Sequence, residues 1–102
     1  MEEIFIDGNT KNVALYVDAV SYNSKWLILV SNVCENKINY FFCMDINSGT
    51  IYCDVNGDKP WGNIMNNKFY LADKKQKLEM VNELRKRGYK YVPVLNKLVK
   101  KV

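Results

Sequence analysis

The side chains here whose types and spacing could do chemistry are two aspartates, three cysteines and a crowd of lysines. Asp45 and Asp54 flank one expected hairpin, and both fall on its more polar face. Held in a cleft about 5–10 Å apart, such a pair does acid–base work. On an open sheet face the same groups are simply solvated, and the surrounding residues favour that state. The chain has no histidine, so any general acid or base would have to be a perturbed carboxylate, Lys, Tyr or Cys. No spacing points to one, and no catalytic residue is assigned.

Cys34, Cys43 and Cys53 are odd in number, with no CxxC spacing. A structural zinc site wants four soft ligands, usually in close pairs. Three reduced, mostly buried thiols in a cytosolic protein are the expectation. The run Asp54-Val55-Asn56-Gly57-Asp58 has some of the residues of a calcium loop. Its glycine comes two positions early, however, and the later carboxylate is missing. A turn accounts for the same residues. The five glycines are scattered, with neither a P-loop nor a dinucleotide fingerprint. No metal and no cofactor is expected.

Charge is the informative feature. Residues 1–67 carry four lysines against eight carboxylates, a net of −4, whereas residues 68–102 carry eleven Lys and Arg against three carboxylates, a net of +8. A body with opposite poles steers partners by sign and orientation. The expected basic contacts are Lys74, Lys75, Arg85, Lys86, Arg87 and Lys90. The expected aromatic and acidic contacts are Tyr16, Tyr22, Tyr52 and Trp61 with Asp45 and Asp54. On the expected helix, Glu79 and Glu83 interleave with Lys75, Lys86 and Arg87, so the basic surface is not a clean phosphate face. Asn and Lys number thirteen each; both have AT-rich codons, so part of the lysine content reflects the genome.

At 102 residues, with 48% hydrophobic and 25% charged residues, the chain is expected to be one globular domain with an ordinary core. It divides into an acidic β-rich part, 1–67, and a basic helix-plus-hairpin part, 68–102. The acidic opening argues against a signal peptide. The longest apolar run, residues 26–30, is far short of the ~20 residues that span a membrane. No membrane association and a cytoplasmic location are expected.

Strands are expected where apolar residues alternate, over residues 13–22, 25–34, 37–46 and 50–55, joined by turns at Asn23-Ser24, 35–37 and Asn47-Ser48-Gly49. In the third of these, Ile38, Tyr40, Phe42 and Met44 share one face. Residues 2–6 would add an edge strand able to pair with a second copy of the chain. Residues 54–67 are rich in turn formers and read as irregular. A helix is expected over about residues 74–87. Asp73 is its N-cap, Gln76 completes a capping box, and Gly88 stands just past its end. Leu78, Val81 and Leu84, with Met80 at the margin, form its apolar arc. A last hairpin follows around Pro93 and Asn96-Lys97.

The fold class is therefore α+β: a curved antiparallel sheet of four or five strands, whose closed form would be a small SH3-like barrel, with one C-terminal helix and a final hairpin. The expected core includes Leu15, Val17, Ile28, Val30, Tyr40, Phe42, Ile51, Leu78, Val81 and Leu84.

Residues 68–101, KFYLADKKQKLEMVNELRKRGYKYVPVLNKLVKK, carry a pattern of an aromatic, Leu-Ala, a capping stretch, a Lys-rich helix, Gly-Tyr and a final Leu-containing strand. The matching residues are Phe69, Leu71, Ala72, Gln76, Lys77, Leu84, Gly88, Tyr89, Tyr91 and Leu98. This third of the chain resembles the tails of small uncharacterised proteins of bacteriophages and bacterial mobile elements, with Tyr91 where those have Trp. The resemblance implies a mobile-element origin and action by adhesion to a host protein, host defence nucleases included.

Three functions follow in order. The first is a non-enzymatic binding protein of phage or mobile-element origin that inhibits a host protein by charge and aromatic contacts, its acidic part standing in for nucleic acid. The second is a nucleic-acid-binding module using the basic third. The third, an enzyme with a carboxylate site, ranks last.

Overall fold

The computed structural model describes residues 14–20, 23–34, 37–63, 67–92, 95 and 97–100. The expected edge strand at 2–6, together with Tyr22, Pro93 and Asn96, lies outside the described residues. The elements run β1 (Ala14–Ala19), β2 (Ser24–Cys34), β3 (Lys37–Asp45), β4 (Ile51–Cys53), β5 (Lys59–Asn63), β6 (Lys68–Leu71), α1 (Lys74–Lys86), β7 (Tyr89–Val92) and β8 (Lys97–Lys100).

The α+β expectation holds. A six-stranded antiparallel sheet runs β6–β1–β2–β3, with β4 and β5 laid end to end along the outer edge of β3. The two strands beyond the expected meander are β5 and β6. Pro60 and Gly62 disguise β5, yet an edge position tolerates a residue with no N–H to give, and Pro60 pairs with Asn39 there. β6 is four residues long, too short for alternation to declare it, and pairs with β1. The sheet curls but does not close. Trp61 of β5 reaches Phe69 of β6 at 6.5 Å between ring centroids, and no ladder joins those two strands among the described residues.

Both faces are apolar. Leu15, Val17, Ile28, Val30, Ile38, Tyr40, Cys43 and Phe69 fill the first face, flanked by Trp26 and Trp61. On the second, Leu27, Leu29, Phe41, Phe42 and Met44 meet Met80 and Leu84 of α1 and Leu98 of β8.

The expected single face for Ile38, Tyr40, Phe42 and Met44 does not occur. The pairing steps from Leu29↔Phe42 to Val30↔Tyr40, leaving out Phe41, then to Asn32↔Asn39, leaving out Ser31. Two adjoining bulges, one on each strand, thus cancel in register. A bulge turns two successive residues to one side, so Ile38 and Tyr40 stay on the first face while Phe41 and Phe42 both join the second. Alternation in a sequence carries no sign of such an interruption.

The segment between β4 and β5 fits against these bulges. Asp54 N–H donates to the Phe41 carbonyl (2.7 Å), and Gly57 N–H to the Asp54 carbonyl (3.2 Å). Gly57 is buried with φ of 67°, and the Ser31 hydroxyl donates to its carbonyl.

Helix α1 starts as its sequence dictates. The Asp73 carboxylate accepts from Gln76 N–H (2.7 Å), and the Gln76 side chain accepts from Asp73 N–H (2.9 Å). Gly88, at φ 81°, ends it. The docked stripe is not the expected one. Met80 and Leu84 are buried, whereas Leu78 is 59% and Val81 44% exposed. Apolar residues at 78, 80, 81 and 84 span more of the helix than one sheet face can cover, and the hairpin residues Leu98, Tyr89 and Tyr91 join the cluster that takes in Met80 and Leu84. Of the remaining expected core, Ile51 is half-buried and the other six are buried.

Candidate binding surfaces

Asp45 and Asp54 are both structural groups. Asp45 Oδ1 accepts from the N–H of Asn47 (2.9 Å) and Ser48 (3.3 Å), which shapes the β3–β4 turn. Asp54 Oδ2 accepts from the N–H of Asp58 (2.8 Å) and Lys59 (3.1 Å), which closes the loop against the bulges. Asp45 N–H bonds Thr50 at one end of β4 and Asp54 N–H bonds Phe41 at the other. Asp45 lies opposite Thr50 and Asp54 four residues further along that edge, so at about 3.4 Å per residue the two stand roughly 14 Å apart along the sheet.

Tyr52 and Trp61 are brought together, through a residue that sequence reasoning missed. Trp26 of β2 stacks on Tyr52 at 6.5 Å and 22° and meets Trp61 edge-on at 5.9 Å, while Trp61 in turn meets Phe69. The indole N–H of Trp26 donates to Ser24 Oγ at 3.0 Å. The row rims the first face and ends at Tyr52, which is half exposed. Trp26 stands on the same strand face as Ile28 and Val30, and that alternation was the available signal. Tyr16 lies apart, half-buried on the second face and tilted against Tyr70 at 6.0 Å.

Beneath the aromatic row, Tyr40 and Cys43 are buried on neighbouring positions. Burial pushes both up to about 12; the charge of the neighbouring thiol adds to the effect on Tyr40, and the Tyr40 hydroxyl partly offsets it on Cys43. Burial also raises Cys53, against the opposing pull of Arg87. A thiol held in this way is a poor nucleophile and a poor metal ligand at neutral pH. Among the described residues no group of three or more His, Cys, Asp or Glu could hold a metal ion.

The basic residues gather on α1 and the hairpin. Described residues from 67 onward hold ten Lys and Arg against three carboxylates, net +7; those before 67 hold three lysines against four carboxylates, net −1. The positive pole therefore belongs to the described body, and half of the eight carboxylates of residues 1–67 lie outside it. On the helix the charges separate by flank. Glu83 accepts from Lys86 at 3.2 Å and Arg87 at 2.9 Å. The Lys86 hydrogen bond, helped by Arg87, holds its carboxyl below the usual range. Lys74, Lys75 and Arg85 have no ion-pair partner among the described residues and are exposed. With 3.6 residues per turn, Lys74, Lys77 and Arg85 surround the exposed Leu78 and Val81, and no carboxylate shares that flank. Lys90 and Lys97 extend the positive surface onto the outward face of the hairpin, beside Val92 and Val99. The sequence expectation places Leu78 and Val81 in the core; their spacing from Lys74 and Arg85, in steps of four, three and four, is the signal for an exposed stripe.

No family model matches the chain, and no curated protein or solved structure is significantly similar to it. No helix among the described residues is long and apolar enough to cross a membrane.

Proposed function

We propose that this chain is a non-enzymatic binding protein that works from the basic helix–hairpin unit, residues 74–100, against a protein partner in the cytoplasm of a bacterial host. The observation that carries the reading is the outer flank of α1, where two large apolar side chains stand in solvent beside Lys74, Lys77 and Arg85, with Glu79 on the opposite side of Leu78. Exposed apolar groups inside a charged surround are typical of protein contact surfaces. The aspartates that would serve an enzyme are engaged in shaping loops, which favours binding over catalysis. An inhibitor of a host defence protein, carried by a phage or mobile element, fits this surface and the resemblance of residues 68–101. The basic flank, and not the acidic two thirds, is the surface we assign to it.

A photo-crosslinking residue in place of Leu78, or separately of Tyr52, tests this in bacterial extract. Capture of a discrete protein from position 78 alone is the expected result. Equal labelling from both positions, or capture only from position 52, overturns it.

Nucleic-acid binding is the second reading, favoured by the net of +7 on the described C-terminal part. It requires affinity for a random oligonucleotide that falls steeply with salt and is relieved by Lys86→Ala with Arg87→Ala. No retardation at low salt ends it.

A further inference from the structure

Resting on the reading just given, we infer that the stripe Lys74–Leu78–Val81–Arg85 of α1 seats an acidic amphipathic helix of the partner protein. The steps of four, three and four residues are those of a heptad seam, at which two helices interlock side chains. The stripe is about 16 Å long at 1.5 Å per residue. Leu78 lies ~160° round the helix from the buried Met80 and ~120° from the buried Leu84, and Val81 ~100° and ~60°, so the seam runs along the flank beside the buried stripe, where the two side chains are 59% and 44% exposed. Lys74 and Arg85 close its two ends. Lys77 borders one side, Lys75 and Asn82 the other, all exposed.

That pattern selects its occupant by charge complementarity. A helix with leucine-like residues along its own seam would cover Leu78 and Val81. Its flanking glutamates would meet Lys74, Lys75, Lys77 and Arg85, in the helix-in-groove manner. Self-pairing is disfavoured, since a second copy brings lysine or arginine onto Lys74 and Arg85 in either direction. Phosphates would have to sit over Leu78 and Val81, which offer them nothing. Two apolar side chains on a 13-residue helix also give a membrane little to hold.

The test uses the full chain and fluorescent synthetic peptides with Leu at the seam positions and Glu at the flanking ones. Controls are the same peptide with Lys for Glu, a single-stranded oligonucleotide, and vesicles of phosphatidylserine and phosphatidylcholine. We expect the acidic peptide to bind about tenfold or more tighter than the basic one. Leu78→Ser with Val81→Ser should weaken it by about tenfold or more. Lys74→Glu with Arg85→Glu should reverse the peptide preference. All four positions are exposed, so an unchanged urea midpoint verifies the fold of each variant. Equal binding of both peptides, insensitivity to the seam variants, or binding only to oligonucleotide or vesicle overturns the inference. If the photo-crosslink from position 78 still captures a protein, the binding role survives and only the helical occupant falls.

Discussion

The Ser31 hydroxyl donates to the Gly57 carbonyl, and a Cβ built on Gly57 would stand 2.6 Å from the Cβ of that same serine and 2.7 Å from Phe41 Cε1. Ser31 and Phe41 are the two residues that the β2–β3 ladder leaves out. The glycine therefore fills the one place where the register is interrupted from both sides, and it does so at a positive φ that only glycine adopts freely. Gly57→Ala should cost about 2–4 kcal/mol, from collision and backbone strain together. Gly49→Ala, at φ 77° with open space around it, should cost only about 1 kcal/mol. Urea unfolding of both variants checks the difference. Similar losses would mean that the glycine does not lock the bulges.

Met80 and Leu78 are two residues apart and should behave oppositely. Met80 is buried between sheet and hairpin, so Met80→Ala should lose about 2–4 kcal/mol. Leu78→Ala should stay within about 0.5 kcal/mol of the parent. The reverse order in urea midpoints would restore the arc that periodicity alone suggests.

Alkali should unfold the protein through its buried acids. Cys43 titrates near 9 and Tyr40 and Tyr91 near 10 when unperturbed, and burial holds all three up to about 12 in the fold. Between those values the unfolded chain binds fewer protons than the native one, so stability falls as pH rises. Their contribution is complete below about pH 9 and is lost progressively toward pH 12. Urea midpoints should decline across that window, and Cys43→Ala should flatten the earliest part of the decline. A midpoint that holds steady up to pH 11 would refute this.

Trp61 holds the curl of the sheet by bridging Trp26 and Phe69 across the first face. Trp61→Ala should cost about 2–3 kcal/mol and collapse the near-ultraviolet circular dichroism of the tryptophan pair. The amides of β6 should also exchange faster, because that edge strand loses the aromatic contact that ties it to the far edge. Unaltered exchange in β6 would show that the edges are held independently of the indole.

Much of this was legible beforehand for a physical reason. The capping box of Asp73 and Gln76, the positive φ of Gly49 and Gly88, and the paired faces of β1 and β2 each depend on residues within a few positions along the chain. Asp45 and Asp54 illustrate the limit. Their place at either end of a hairpin could be read, but not that backbone N–H groups would occupy their oxygens, since that depends on how each turn closes.

What the amino-acid order determined by itself is the α+β class, the helix with both its ends, the early strands, and the concentration of positive charge after residue 67. Only the tertiary structure decided that Phe41 and Phe42 share a face, that β5 and β6 extend the sheet, and that Leu78 and Val81 stay in solvent. Local hydrogen bonding and backbone stereochemistry act over one or two turns of chain. Which apolar stripe is buried depends on the space the sheet and hairpin leave open, and that space exists only once distant segments have met.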